Sequence, residues 1–312
     1  MAIPTFKLSN GVEIPAIGFG TGTKWFKRSN DNQTSDEQVD TQTVAALTTA
    51  LGNGITHIDG AEVYGTEPEI GTALKEYLAS PTNPSATTRE QLFVTTKVLP
   101  HIKDVNKALN NSLSKLGLEY VDLYLIHSPF ISEDNPEQGI SLEDAWRAVE
   151  RAYTQGKVRA IGVSNFTVED LKRILAIATI KPQVHQIEFN AYLQNQTPGI
   201  VAFSQSEDIL VEAYSPLAPV AQGKGGPLDQ VLANLAKKYN KSVGQITLRW
   251  VYQNGILPIT TSAHSERQKE ALDIFSFELS QDEVDEVARV GSQKTFRQYW
   301  IPQFGHFDKA SI

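Results

Sequence analysis

Apolar positions along the chain recur in two alternating patterns. Eight short runs are rich in β-favouring residues: Ala16–Gly20, Ile55–Ile58, Leu92–Thr96, Val121–Ile126, Val158–Val163, Gln183–Phe189, Ile209–Ala213 and Gly255–Ile259. Between them lie longer stretches in which apolar residues return at helical spacing, as in Leu109, Leu113 and Leu116, or Val168, Leu171, Ile174 and Leu175. Ser141 before Glu143 and Asp144, and Thr167 before Glu169 and Asp170, mark helix starts, because a capping hydroxyl and first-turn carboxylates satisfy the free N–H groups and the positive dipole end. Ahead of this rhythm, Thr5–Leu8 and Val12–Ile14 flank Ser9-Asn10-Gly11, which predicts a hairpin closed by a type I′ turn.

Continuously apolar strands separated by helices imply a parallel sheet covered on its faces. Eight such units in 312 residues predict an α/β fold of the (β/α)8 TIM-barrel type, one domain over residues 1–312, with an N-terminal β-hairpin and long loops on the C-terminal face. A doubly wound open sheet would want G-x-G-x-x-G after its first strand, and Gly18-Phe19-Gly20-Thr21-Gly22 lacks that spacing. Lys24–Asp40, Ser80–Thr88 and Ser215–Pro227 are long connections of the kind that form lids, although Ser80–Thr88 reads equally well as a surface insertion.

Composition narrows the chemistry. The chain has no cysteine, which excludes a disulfide scaffold, a thiolate metal site and a cysteine nucleophile. Acidic residues outnumber basic ones, 36 to 28, for a net charge of −8, so nucleic acid and anionic membrane are not the expected partners. No apolar run approaches the ~18 residues of a membrane span. Met1–Asn10 lacks the basic and apolar regions of a signal peptide, and a cytoplasmic location is expected.

In a barrel the reactive groups gather at the C-terminal strand ends. Asp59 follows one apolar run, Lys97 a second and His127 a third, with Tyr64 five residues beyond Asp59. A charge at a buried strand end is costly, so three ionisable groups there point to mutual compensation in a pocket. A free tyrosine with a pKa near ~10 is a poor acid at neutral pH. A neighbouring ammonium favours its phenolate, an aspartate holds that ammonium, and a histidine can orient a substrate oxygen. The set suits proton donation to a carbonyl oxygen as hydride reaches the carbon. A metal triad of Asp59, His57 and His127 is set aside on the expectation that strand alternation points His57 away from Asp59, and no metal is assigned.

These motifs resemble those of the aldo-keto reductases along nearly the whole chain. Gly18-Phe19-Gly20-Thr21 is similar to that family's opening strand, and His57-Ile58-Asp59-Gly60-Ala61 with Tyr64-Gly65 to its Asp/Tyr segment. Thr95-Thr96-Lys97 resembles its lysine strand, and Leu116-Gly117-Leu118 through Tyr120–His127 its histidine signature. Gly156-Lys157-Val158-Arg159-Ala160-Ile161-Gly162-Val163-Ser164-Asn165-Phe166 is nearly diagnostic alone. Within the family the chain most resembles fungal reductases of conjugated polyketones, ketopantoyl lactone and α-keto amides.

The resemblance implies Asp59, Tyr64, Lys97 and His127 as catalytic residues and NADPH (NADP+) as cofactor. It also implies that Ser164, Asn165 and Gln186 hold the carboxamide and that Tyr214 stacks on the nicotinamide. Ser215 and Leu217 would meet the pyrophosphate, and Gly20, Thr21 and Gly22 would line the cofactor. After the last strand, Thr260-Thr261-Ser262, Arg267 and Glu270 form a candidate clamp for an adenosine 2′-phosphate, since guanidinium binds phosphate bidentately. The family usually has lysine where Thr261 stands and asparagine where Ala271 stands, departures that bear on NADPH over NADH preference. Trp25, Tyr64, His127, Phe130 and Trp300 are the candidate substrate wall, and Ser128 replaces a common bulky aromatic, which makes room. The expected activity is NADPH-dependent reduction of a small-molecule carbonyl substrate by a monomer or weak dimer. Alternatives are a sugar-aldehyde reductase with relaxed NADH use, a non-catalytic cofactor-binding regulatory subunit on the same fold, and a barrel hydrolase using Asp59 and Glu188.

Overall fold

The computed structural model describes residues 3–27, 39–80, 87–131 and 139–308. Two strands, β1 (Thr5–Lys7) and β2 (Glu13–Pro15), pair antiparallel as a separate hairpin. Eight parallel strands follow: β3 (Gly18–Gly20), β4 (His57–Asp59), β5 (Phe93–Val98), β6 (Val121–Ile126), β7 (Val158–Ser164), β8 (Val184–Glu188), β9 (Leu210–Tyr214) and β10 (Leu257–Thr260). They pair in chain order, and β10 closes onto β3, so the sheet is a complete barrel without edges.

Most strands are followed by helices that cover the outside: α1 (Thr41–Asn53), α2 (Glu67–Ala79), α3 (Val105–Leu116), α4 (Leu142–Thr154), α5 (Val168–Leu175) and α6 (Ile200–Ser206). Both α7 (Leu228–Tyr239) and α8 (Val243–Gln253) lie between β9 and β10; α9 (Ser265–Leu272), α10 (Gln281–Gly291) and α11 (Ile301–Phe304) follow β10. The expected caps form. The Ser141 side chain accepts from Asp144 N, and Thr167 with Asp170 makes a reciprocal capping box.

Alternation along each strand sorts the core into two layers. Val94 and Val98 of β5 pack outward with Tyr124 and Ile126 of β6 against the helices. Phe93, Leu123, Leu125, Ala160, Val184, Leu257 and Ile259 point inward and fill the barrel, and Leu8 and Ile14 of the hairpin close it from below. Apolar side chains thus fill the lower interior, and polar groups rise above it toward the C-terminal mouth.

The hairpin turn differs from the type I′ expectation. Only Gly11 of the three turn residues has a positive φ, at 86°. Gly11 N donates to Leu8 O and Leu8 N to Val12 O, both at 2.8 Å, the pattern of a type I turn ending in a left-handed glycine. Asn10 instead uses its side chain, accepting from Val12 N and donating to Arg159 O. Of the long connections, most of Lys24–Asp40 and of Ser80–Thr88 lies outside the described residues. The described ends of Ser80–Thr88 lie after α2 and before the start of β5, on the face opposite the strand C-termini and not with the C-terminal-face loops. Ser215–Pro227 does leave the C-terminal end of β9.

Candidate active site

Parallel pairing aligns the strand ends that the sequence singled out. Asp59 pairs with Thr95, one alternation below Lys97, and Lys97 pairs with Leu125, one alternation below His127, so β4, β5 and β6 carry these three side chains to neighbouring places at the barrel mouth. Lys97 is fully buried, with its ammonium 2.8 and 2.9 Å from the two Asp59 oxygens and 2.9 Å from Gly60 O. It also reaches the Tyr64 hydroxyl at 3.4 Å, and Tyr64 lies 3.3 Å from His127 Nε2. The four side chains form one hydrogen-bonded line, Asp59–Lys97–Tyr64–His127.

Burial opposes a charged Lys97, but Asp59 and Tyr64 more than compensate, and its pKa stands above the usual lysine value. Burial drives the Tyr64 phenol above its ordinary value; Lys97 pulls it down and Asp59 pushes it up. The ammonium thus acts in the expected direction, while the net displacement of Tyr64 is upward. Burial, then Lys97, hold His127 well below the ordinary imidazole value, so it is neutral. A neutral imidazole carries one N–H, and Nδ1 has no protein partner among the described residues.

Gly22 makes the position of Tyr64 possible. A Cβ there would lie 2.4 Å from Tyr64 Cζ. Thr21 is fully buried, and its hydroxyl donates to Asp59 O and accepts from Thr66. It therefore braces β4 from behind.

His57 stands on the same inward face as Asp59, as residues i and i+2 of a strand must, and the expectation that it points away is corrected. Its Nε2 meets Thr95 Oγ1 at 3.1 Å and its ring packs edge-on against Phe93. Burial depresses its pKa to about 4, with Lys97 in the same sense and Asp59 opposing. Glu188 is not paired with Asp59. Its carboxylate accepts the backbone N–H groups of Gln298 and Tyr299 at 2.7 and 3.0 Å, which fastens the C-terminal tail over the barrel.

The later strand ends form a second surface. Ser164 donates to Gln186 O, and Asn165, at a φ of 61°, gives its amide hydrogens to His127 O and Ser164 Oγ. Asn165 Oδ1 accepts from Tyr214 OH and Gln196 Nε2, so this side chain can take a ligand only by exchanging a partner. Gln186 gives its nitrogen to Asp59 and Glu212, leaving its oxygen for a ligand. Gln196 and Glu212 were not singled out in the sequence. Ser215 and Leu217 follow β9, with Ser215 in the left-handed region.

Beyond β10, Thr261 Oγ1 is buried without a partner among the described residues, and His264, the residue before α9, makes no side-chain cap bond. Arg267 is exposed on α9 and has no bond or ion pair among the described residues. An uncapped helix start, an orphan hydroxyl and an unpaired guanidinium suit an anionic phosphate. Ser262 Oγ accepts from His264 N, and Glu270 accepts from Ser242 Oγ, so these two shape the loop and brace it against α8.

The rim is aromatic. Phe130 packs on Trp300 at 5.2 Å and on Phe304 at 5.4 Å between ring centroids. Trp300 has a φ of 56°, uncommon for a bulky residue, and the Phe304 N–H bonds back to its carbonyl. Trp25 does not face them: it is buried, stacked on Phe19 at 5.5 Å, within the outer core. Its neighbour Phe26 takes the exposed place beside Tyr64, 6.0 Å away.

Comparison with known proteins agrees with this geometry. Residues 16–291 match the Aldo/keto reductase family. The chain is 45% identical to the NADPH-dependent alpha-keto amide reductase of Saccharomyces cerevisiae, across 98% of this chain and 97% of that protein. It is 39% identical to the NAD/NADP-dependent indole-3-acetaldehyde reductase of Schizosaccharomyces pombe, covering 93% and 96%. A crystal structure of an aldo-keto reductase complexed with NADPH superposes with a TM-score of 0.82 at 35% identity, over 99% of this chain and 94% of that one. The chain belongs to the aldo/keto reductase family.

Proposed function

We propose that this protein is an NADPH-dependent carbonyl reductase, an oxidoreductase acting on CH–OH groups in the reverse direction, and that activated cyclic or conjugated dicarbonyls are its substrates. The observation that carries the reading is the unbroken line Asp59–Lys97–Tyr64–His127 at the barrel mouth. A reduced nicotinamide, when bound, supplies hydride from C4 to the carbonyl carbon. Tyr64 gives the proton to the carbonyl oxygen, and Lys97 stabilises the phenolate left behind, its charge fixed by Asp59. Neutral His127 steers the carbonyl oxygen toward the Tyr64 hydroxyl.

Ser164, Asn165, Gln186 and Tyr214 would hold the nicotinamide end, with Gln186 offering its oxygen. Gly20, Gly22, Ser215 and Leu217 would border the cofactor, and Thr260, Thr261, Ser262 and Arg267 would hold the 2′-phosphate. Thr21 and Glu270 support this surface through their own bonds. Tyr64, His127, Phe26, Phe130 and Trp300 enclose the substrate, and an aromatic rim favours planar dicarbonyls over polyhydroxylated aldehydes. The relative from Saccharomyces cerevisiae, named for α-keto amides, supports that choice. A panel of α-keto amides, ketopantoyl lactone, conjugated diketones and aldopentoses, each followed at the NADPH absorbance band with NADPH and with NADH, tests it. Faster turnover of the dicarbonyls with NADPH is expected. Preference for aldopentoses with either cofactor would overturn the substrate class, and turnover without nicotinamide would overturn the reaction.

A further inference from the structure

The barrel interior holds an acid that the proton-transfer line does not use. Glu212 lies on β9 and is fully buried. Its Oε2 accepts from Gln186 Nε2 at 2.8 Å, and the same nitrogen donates to Asp59 Oδ2, also at 2.8 Å. An amide nitrogen has two hydrogens, so both are engaged and the two acids are tied through one side chain. Glu212 Oε1 has no partner among the described residues.

The surroundings decide the protonation state. From β5 comes Lys97, whose ammonium is occupied by both Asp59 oxygens and Gly60 O. From β4 come the Asp59 carboxylate and His57, which burial keeps neutral. From β8 comes the uncharged Gln186, and β10 presents Leu257 opposite Glu212 in register. A buried carboxylate with one hydrogen bond and no cation of its own is too costly to remain ionised, so Glu212 takes a proton. Burial first, then the Asp59 charge, push its carboxyl up to about 8, against the opposing pull of Gln186 and Lys97.

We propose that Glu212 is a positioning residue that acts as a neutral acid: through the shared Gln186 amide it fixes the Asp59 carboxylate against Lys97, and so sets the frame in which Tyr64 releases its proton. The role depends on reach rather than charge, and it rests on the reductase reading above. Without Glu212, one Gln186 hydrogen is unpaired in the barrel interior and the amide is free to turn away from Asp59.

Two substitutions separate reach from charge. Glu212→Gln keeps the length and the acceptor but cannot ionise; Glu212→Asp keeps the acid but is one methylene short of Gln186. Glu212→Gln should retain kcat within about twofold, and Glu212→Asp should lose about tenfold in kcat with substrate KM unchanged, the fold-change of one lost buried hydrogen bond. Equal kcat in the two variants, or the reverse order, would overturn the positioning role. An infrared measurement stands apart from turnover: the difference spectrum of wild type minus Glu212→Gln, in which the other buried acids Glu188 and Glu67 cancel, should show the carbonyl stretch of a protonated carboxyl well below pH 8 and lose it well above that pH. Absence of that difference band below pH 8 overturns the neutral acid whether or not the reductase reading holds. Loss of all carbonyl reduction in wild type with the band present would instead count against the reductase reading.

Discussion

Replacing Lys97 with methionine removes the ammonium between Asp59 and Tyr64 while keeping a flexible apolar stem of similar length. The ammonium stands 3.4 Å from the Tyr64 hydroxyl. At an effective dielectric of about 20, opposite unit charges at that separation attract by about 5 kcal/mol. Asp59, 2.8 Å from the same ammonium, repels a phenolate in wild type and variant alike, so it does not enter the difference. About half of the attraction, about 2–3 kcal/mol, is felt where the proton is half transferred, and its loss raises the Tyr64 pKa. The sign follows from which form Lys97 favours: without it the phenolate is less stable and the phenol a weaker acid. Carbonyl reduction by Lys97→Met should slow by a factor of about 30–150. In the reverse direction, where Tyr64 must accept a proton as phenolate, the rise of alcohol oxidation with pH should move toward alkali. The variant also leaves Asp59 buried without its cation, a loss of about 3–5 kcal/mol in stability. Lys97→Met/Asp59→Asn should therefore recover much of the melting temperature without recovering turnover. An unmoved pH profile with normal turnover in Lys97→Met would refute the coupling, and restored turnover in the double variant would show that Lys97 only neutralises Asp59.

Arg267→Ala should weaken NADPH binding by roughly 10- to 150-fold, the equivalent of about 1.5–3 kcal/mol for a charge-assisted bond, with NADH affinity unchanged in fluorescence titrations. Equal losses for both cofactors would place Arg267 in support of the loop or the adenine. Gly22→Ala places a Cβ 2.4 Å from the Tyr64 ring, so it should lower kcat by about 100-fold through misplacement of the hydroxyl. A folded Gly22→Ala protein with unchanged kcat would show that Tyr64 tolerates displacement.

The parts of the molecule legible in the sequence are those set by local rules. Continuous apolar runs between helical stretches mark all eight barrel strands, since a strand buried on both faces has no polar alternation. Asp59, Lys97 and His127 stand out because charged types end apolar runs, and parallel pairing then brings them to neighbouring places at the barrel mouth. What escaped depends on partners far along the chain or on atomic detail. Trp25 and Phe26 are adjacent aromatics, and only packing against Phe19 decides which is buried and which faces Tyr64. Glu212 sits within a short strand and reads as one more polar residue until its 26-residue separation from Gln186 is closed by the β8–β9 ladder. The turn at Asn10-Gly11 has the residues of a type I′ turn, but the Asn10 side chain is drawn to Arg159, 149 residues away, and only Gly11 turns left-handed.

The central claim is that Tyr64 is the proton donor. Tyr64→Phe removes one hydroxyl and leaves the Gly22 contact, the barrel and the cofactor surface in place. The direct measurement is single-turnover oxidation of bound NADPH by an activated ketone, with NADPH affinity titrated in parallel on the same preparation. The expected result is near-normal NADPH affinity and a hydride-transfer rate lower by about 10²–10⁴-fold, the usual worth of a general acid. A variant that keeps more than about a tenth of the wild-type rate while binding NADPH normally would contradict the assignment.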